Sequence, residues 1–393
     1  MERIAVVAAA RTPIGKFQGG LSSLSAVDLG AHAVTALLAR AGVSPTDVEE
    51  LYMGQARQLG SGPNPARQVA VKAGCGDGCV ATTINKACGS SLKTIDLARA
   101  AILLDGRKVV VAGGMESMTN IPFLLPNFRS GYRLGHVEVK DGNFQDGFTC
   151  GILGEPMGMT AEYLADEHRI GRQEQDEFAL QSHQRGESAQ KAGRFTDEIA
   201  PVTIAGKKGA TVVATDEHVR PGVTLDDLQK LPAVFRPKVG TVHAGNSSGI
   251  TDGGSALLLM PASEVARRGL TPLAWLGASA TAGVPPRIMG IGPVPAVKNL
   301  LAKTGRQLGD FDLVELNEAF AAQMLACLRE LPITRDRLNV NGGAIALGHP
   351  IGATGARIVV TLLHEMKRRG SKRGLATLCM SGGMGMALEF ERP

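Results

Sequence analysis

The sequence has no apolar run approaching the ~18 residues that a membrane-spanning helix needs, which argues against a membrane protein. Its N-terminus lacks a basic region followed by a long apolar stretch. Ile4-Ala5-Val6-Val7-Ala8-Ala9-Ala10 is short, ends at Arg11, and reads as a buried strand rather than a signal peptide. There is no stripe of Lys and Arg interleaved with aromatics, so no nucleic-acid partner is expected. No GxxxxGK[ST] occurs, and no GxGxxG follows the first strand, which removes the common phosphate-loop readings. Cysteine is sparse. Cys75, Cys79, Cys88, Cys150, Cys327 and Cys379 are too few in 393 residues for a disulfide framework, so a reducing, cytoplasmic setting is expected. Cys75-Gly76-Asp77-Gly78-Cys79 has no second cysteine pair and no histidines to complete a zinc site. It reads as a surface loop, and no metal site is expected.

What is present describes a globular protein of more than one core: 393 residues, 44% hydrophobic and 20% charged. The net charge of +5 is mild and suits a polyanionic small substrate. Glycine is over-represented, with 50 residues against a usual ~7%. The glycines cluster beside the candidate site residues, where backbone must turn tightly or approach a ligand.

Strand and helix signals alternate from the start. A strand over 4–10, a helix over 26–41, short strands near 51–54 and 81–85, a helix over 92–104 and a strand over 108–114 predict an α/β layered domain around a buried sheet. From 119 to 244 the alternation breaks into a loop-rich excursion with two amphipathic helices, 160–168 and 173–192; it is expected to cover or border the site. The second half then repeats the first. Leu37-Leu38-Ala39-Arg40-Ala41-Gly42 matches Leu300-Leu301-Ala302-Lys303-Thr304-Gly305, and Val111-Ala112-Gly113-Gly114-Met115 echoes Met380-Ser381-Gly382-Gly383-Met384. Two similar halves on a pseudo-twofold bring equivalent strand ends together, where α/β sheets bind ligands.

Four stretches carry chemistry. Cys88, in Asn85-Lys86-Ala87-Cys88-Gly89-Ser90-Ser91, sits just before a helix that Ser90 or Ser91 can cap and Gly106 can end. That helix N-terminus is expected to lower the thiol pKa and make a nucleophile; a buried structural cysteine is the alternative. Asn317, at a strand end, can hold a water or an oxyanion, or can cap a helix over 318–330. His349, among glycines and before Pro350, is a base for a thiol, a neutral donor, or a histidine satisfied in a turn. Cys379, at another strand end facing Gly382-Gly383, can take and give a proton or can be structural.

Together these stretches resemble the thiolase family, the acyl-CoA C-acyltransferases. The resemblance runs over essentially the whole chain. It rests on Arg11-Thr12-Pro13-Ile14-Gly15, Asn85…Cys88-Gly89-Ser90, Gly113-Gly114-Met115-Glu116-Ser117-Met118, Met157-Gly158-Met159-Thr160-Ala161-Glu162, Ala244-Gly245-Asn246-Ser247-Ser248-Gly249, Asn317-Glu318-Ala319-Phe320, Gly348-His349-Pro350 and Cys379…Gly382. It implies a five-layered α/β/α/β/α fold of two similar halves. Residues 1–118, completed by 249–269, would form one half and 270–393 the other, with 119–248 an inserted loop domain. It implies a homodimer or homotetramer acting on acyl-CoA and coenzyme A, with coenzyme A a substrate and no cofactor. Cys88 would carry the acyl group and His349 would activate it. Cys379 would exchange the proton at the α-carbon, and Asn317 would hold a water at one oxyanion hole. The N–H groups of Cys88 and Ser381 would form the other hole. Arg220, Phe235, Ala244 and Ser248 fall where the family contacts coenzyme A; Met157, Met289 and Phe320 fall where it lines the acyl pocket.

Three positions depart from the usual pattern. Ser381 and Ser91 stand where the family commonly has Gly, and Pro156 where acetoacetyl-forming members often carry His. Pro156 tilts the expectation toward a broader or degradative 3-ketoacyl-CoA thiolase. Two other readings compete: a ketoacyl synthase-like condensing enzyme, which would lack the second cysteine, and a non-catalytic lipid-binding relative, which would lack one of Cys88, His349 and Cys379. A subunit role in a larger fatty-acid oxidation complex is compatible with activity.

Overall fold

A computed structural model describes residues 2–206 and 209–393. The sheet of the first half runs in the order Val80–Ile84, Glu50–Gly54, Val110–Ser117, Thr251–Pro261, Ile4–Arg11. The sheet of the second half runs Leu313–Leu316, Arg373–Met380, Met384–Glu391, Ala274–Gly283. Apart from Val80–Ile84, the two orders correspond strand for strand: one parallel pair followed by two antiparallel ones. The internal repeat is therefore a repeat of topology. Two residue pairs, Ala5 with Trp275 and Val6 with Ala274, join the sheets edge to edge.

The layers follow from what each sheet face buries. Between the sheets lie two helices, Ser90–Leu104 and Ile351–Arg369, whose Leu92, Ile95, Ile358 and Val359 pack against Ala112 and Leu257 of one sheet and Leu378 and Leu388 of the other. The far side of the first sheet is covered by Ala26–Ala41 and Pro65–Lys72, and that of the second by Pro293–Thr304 and Ala321–Glu330. This is the five-layered α/β/α/β/α arrangement. The matching segments 37–42 and 300–305 end their helices in the same way, with Gly42 and Gly305 in the left-handed region.

The excursion is more ordered than its composition suggests. Its helices are Met157–Glu167 and Arg172–Lys191, close to expectation. It also holds two small hairpin-like sheets, Phe123–Leu124 with Lys140–Asp141 and Val202–Ile204 with Thr211–Val213, and a short helix Leu225–Gln229. Arg11 ties it to the core. This buried guanidinium bonds Glu198 at 2.7 Å and Asp216 at 2.7 and 2.9 Å.

Two local readings need correction. The helix starts at Ser90 on a Gly89 cap without a side-chain bond, whereas Gly106, left-handed at φ +71° directly after the Asp105 C-cap, does end it. Ser90 Oγ instead donates back to the Ala87 carbonyl (2.6 Å), and Ser91 Oγ accepts from the Ala356 N–H of the other central helix (2.9 Å). In the Cys75–Cys79 segment only the glycyl-aspartyl turn is at the surface. Both sulfurs are buried in the first outer core, beside one another, because the turn folds the flanking side chains inward. Among the described residues no group of three or more His, Cys, Asp or Glu converges as for a metal.

Candidate active site

The two central helices start side by side, and each is preceded two residues earlier by a reactive side chain: Cys88 before Ser90 and His349 before Ile351. The repeat thus delivers one group from each half to the same point. His349 Nε2 lies 3.4 Å from Cys88 Sγ.

The turn carrying Cys88 is held from both sides. Ala87 sits at φ +49°, a left-handed conformation that costs a non-glycine residue about 1–3 kcal/mol and persists only where neighbours over-determine it. Asn85 Oδ1 accepts from Ala87 N–H (3.0 Å), Asn85 Nδ2 donates to Ala56 O (3.0 Å), and Ser90 Oγ accepts from Lys86 N–H (2.8 Å). The N–H groups of Cys88 and Ser381 both face the sulfur. Ser381 therefore keeps the donor expected of a glycine there.

The thiol pKa departs from expectation. Burial pushes Cys88 up from its ordinary value, and the nearby Arg57 charge and the two N–H groups only partly offset this. The helix terminus loses to desolvation because protein crowds the half-buried side chain, which faces the cavity rather than open solvent. His349 is held neutral, its pKa lowered to about 3 chiefly by burial and then by the Arg357 and Arg57 charges. One tautomer makes every bond here, and the other leaves one of two unmade. With the imidazole proton on Nδ1, Thr354 Oγ1 accepts it at 2.6 Å and donates its own single proton to Pro350 O (3.0 Å). That leaves Nε2 with a free lone pair, pointed at the cysteine.

A cavity of about 790 Å³ opens in front of this pair. Met157, Arg220, Phe235, Ala244, Ser248, Met289, Phe320 and Ser381 all line it together with Cys88 and His349. Cys379 and Asn317 lie behind its wall. Cys379 is fully buried against Met289, Ala319, Met157 and Phe320, with its pKa raised well above normal by burial and then by the neighbouring Cys88. Asn317 does not cap a helix, since the following one begins at Ala321 on a Phe320 cap. Both polar atoms of its buried side chain lack a protein partner, as suits a group that binds water or ligand oxygen. Phe235 lies flat against the start of Met157–Glu167 and meets Phe320 edge-on at 6.4 Å. Ser248 N–H bonds Ala319 O (3.0 Å), tying the 244–249 loop to the Asn317 segment.

Three contributors are absent from the sequence reading. Thr354 is one. Glu116 is another: its buried carboxylate accepts from the N–H groups of Ala56 (3.1 Å), Arg57 (3.2 Å) and Gly352 (2.8 Å), joining the two halves beneath the site. Burial raises its pKa to about 7 despite these bonds and Arg57. The third is Arg57 itself, on the cavity wall. Its position just past a strand end was the available signal, since Gly54 aligns with Asn317 in the repeat.

The chain and its fold have known counterparts. Residues 4–263 match the family model described as "Thiolase, N-terminal domain" and residues 270–392 the one described as "Thiolase, C-terminal domain". The chain is 51% identical to an acetyl-CoA acetyltransferase of Chromobacterium violaceum over 99% of this chain and 100% of the relative. It is 48% identical to one of Escherichia coli over 100% of each. Its structure superposes on an acetyl-CoA acetyltransferase of Bacillus anthracis (TM-score 0.98, 43% identity, 100% of this chain and 99% of that one). It also superposes on human mitochondrial 3-ketoacyl-CoA thiolase (TM-score 0.96, 43% identity, 100% of this chain and 99% of that one). With both halves matched end to end and its reactive groups meeting where the halves join, the chain belongs to the thiolase family.

Proposed function

We propose that this chain is an acyl-CoA C-acyltransferase, cleaving 3-ketoacyl-CoA with coenzyme A or running the same steps backwards as a Claisen condensation. The observation that carries this is the neutral His349 Nε2 aimed at the Cys88 thiol at 3.4 Å, with a second thiol, Cys379, buried beside them. In the cleavage direction Cys88 attacks the ketone carbon as His349 takes its proton. The C2–C3 bond then breaks, leaving the acyl group on Cys88 and an enolate of acetyl-CoA. Cys379 gives that enolate its proton at C2. Coenzyme A attacks the acyl-enzyme, its thiol proton returning to Cys379 and the Cys88 sulfur recovering its own from His349. The Cys88 and Ser381 N–H groups suit the first oxyanion, and protonated His349 with a water on Asn317 suits the enolate.

Thiol, imidazole and amide donors cover every step, so the reaction calls for no metal or redox cofactor. Arg220, Phe235, Ala244 and Ser248 are proposed to contact coenzyme A, and Met157, Met289 and Phe320 the acyl chain; their shared cavity supports this. The six free thiols suit a reducing, cytoplasmic setting. The division into 1–118 with 249–269, 119–248 and 270–393 is supported by Thr251–Pro261 returning to the first sheet. A homodimer or homotetramer is supported by the uncovered strand Val80–Ile84 and by exposed Phe123, Phe128 and Leu134 in the excursion. Pro156, on the cavity wall before Met157, supports a range beyond acetoacetyl-CoA.

The test is thiolysis of 3-ketoacyl-CoA from C4 to C16, with acetoacetyl-CoA formation measured beside it. Wild type should turn over with ping-pong kinetics and show an acyl adduct on the Cys88 peptide by mass spectrometry. Cys88→Ala should show neither. Equal rates in the two proteins, or none in wild type, would overturn the reading; a C4-only profile would remove the broader range.

A further inference from the structure

Arg57 acts on Cys88 and His349 only through its charge and bonds none of the reacting groups. It is 1% exposed, and its Nε and Nη2 have no hydrogen-bond partner. A guanidinium does not shed its charge at accessible pH, so this is a buried cation with unmade bonds, an arrangement proteins rarely leave without a use. Arg11, buried to the same degree, is saturated by Glu198 and Asp216. Arg357 and Arg99 are also under-bonded, but Glu315 faces Arg357 at 3.7 Å and neither is on the cavity wall. Arg57 is on that wall, and no carboxylate among the described residues lies within ion-pair distance of it. Its acidic neighbour Glu116 is occupied by three backbone amides.

The orphaned atoms are adjacent. Nε–H and one Nη2–H run parallel along one edge of the guanidinium, at the spacing of the two oxygens of a carboxylate. The faces are already used. The Phe148 ring stacks 4.5 Å from the guanidinium carbon, and Gly147 lies so close that a Cβ there would sit 2.2 Å from Nη2. Both belong to the turn Phe144–Phe148, which forms the outer wall of the cavity beside Met157. Around Arg57 the cavity lining is largely apolar, with Phe144, Phe148, Pro156 and Met157, and the other cations on the lining are Lys16 and Arg220, so an under-bonded guanidinium at this place discriminates between chain ends.

We propose that Arg57 is a recognition site for an anionic acyl tail, and that the substrates this chain handles best are 3-ketoacyl-CoA thioesters whose acyl chain ends in a carboxylate. The proposal rests on the thiolase reading of the site. Gly147 and Phe148 screen the edge from water; a tail reaches it by lifting the 144–148 turn, exchanging a ring contact for a pair of charge-assisted hydrogen bonds, the stronger kind. Asp146 and Asp141, on the same turn and its approach, stabilise the cation from beyond ion-pair distance and oppose an incoming carboxylate, so the new pair of hydrogen bonds must outweigh them.

The experiment compares kcat/KM for thiolysis of six- and eight-carbon 3-ketoacyl-CoA ending in a carboxylate with the methyl-ended thioesters of equal length. Wild type should favour the carboxylate at one or both lengths by about 10-fold or more, the usual effect of a charge-assisted pair. Arg57→Leu should abolish or invert that ratio, chiefly through KM for the carboxylate substrate, and Arg57→Lys should keep part of it. A methyl preference in wild type at both lengths overturns the proposal. So does an unchanged ratio in Arg57→Leu, or an equal loss on both substrates with a shifted pH profile of Cys88 alkylation, which would make Arg57 a partner of the thiol. If Arg57→Leu does not fold, the wild-type ratio and Arg57→Lys still decide. Absence of thiolysis on every substrate, acetoacetyl-CoA included, is failure of the thiolase reading; turnover without carboxylate preference is failure of this proposal alone.

Discussion

On the proposed mechanism, reactivity at the residue scale rests on Thr354 as much as on His349. The hydroxyl donates to Pro350 O and accepts from Nδ1–H, so one proton location follows from another. Replacing it with Val keeps the volume and removes the acceptor; the imidazole is then free to carry its proton on Nε2, where it cannot serve as a base. Thr354→Val should lower kcat by roughly 10–100-fold, the range seen when a histidine's orienting partner is removed, with KM little changed, and Thr354→Ser should restore most of it. Iodoacetamide alkylation of Cys88 separates this from a packing defect. Because burial raises the thiol pKa, alkylation should climb with pH and still be rising at pH 9. The variant should be slower at neutral pH and converge on wild type where hydroxide, not His349, takes the proton. The reactive types were legible in the sequence: Cys88, His349 and Cys379 each stand out as a lone reactive group among glycines. Thr354 was not, since its role appears only when one helical turn places it under the imidazole. The direction of the Cys88 pKa was not legible either, because a helix N-terminus can be read from a motif and the depth of its burial cannot.

The elements around the site meet backbone to backbone, and glycine is what permits it. A Cβ on Gly355, in Ile351–Arg369, would sit 2.3 Å from the backbone nitrogen of Leu92 in Ser90–Leu104. One on Gly114, in Val110–Ser117, would sit 2.1 Å from Gly352 O. These glycines, expected from the sequence to mark tight turns or close approach to a ligand, instead bring helix against helix at Gly355 and strand against helix at Gly114, so that Cys88 and His349 can touch. Neither obstacle is a side chain that can swing away, so Gly355→Ala must separate the helices. Overpacking of this kind costs about 1–3 kcal/mol or more, and for a chain this long we expect a melting temperature lower by several degrees. The loss of activity should exceed the loss of folded protein, because the change widens the 3.4 Å contact. Calorimetry beside kcat on the folded fraction checks this: full specific activity with a lowered melting point would show that the contact does not depend on this spacing. Element order was readable because the apolar periodicity is strong in both halves. The small sheets of the excursion were not, since strands of two or three residues carry no period.

At the scale of the whole molecule the two halves differ most at their outer edges. The second sheet ends at Leu313–Leu316, and the chain covers that edge: Val314 N–H bonds Arg337 O (2.9 Å), and Asn339 returns bonds to Val314 and Leu316. The first sheet ends at Val80–Ile84, with no strand beyond it among the described residues and with Val80 47% exposed. Asn64 Nδ2 takes one carbonyl of this edge, Ala81 O, at 3.0 Å. An edge with no covering strand still offers N–H and C=O groups to another chain, and natural proteins protect such edges unless a partner takes them. A second copy pairing there would extend the sheet across a twofold axis. Four residues past Ile84 the chain reaches Cys88, so the same contact would brace the strained Ala87 turn from outside. Val80→Lys with Thr82→Lys places two charges on the edge strand and touches no group of the site. Light scattering at micromolar concentration should give at least a dimer for wild type and a smaller species for the double variant. Specific activity should fall with the mass and recover partly at high protein concentration. A monomeric wild type, or a variant with wild-type mass, would mean that this edge is solvated and that the turn bearing the nucleophile stands without outside support.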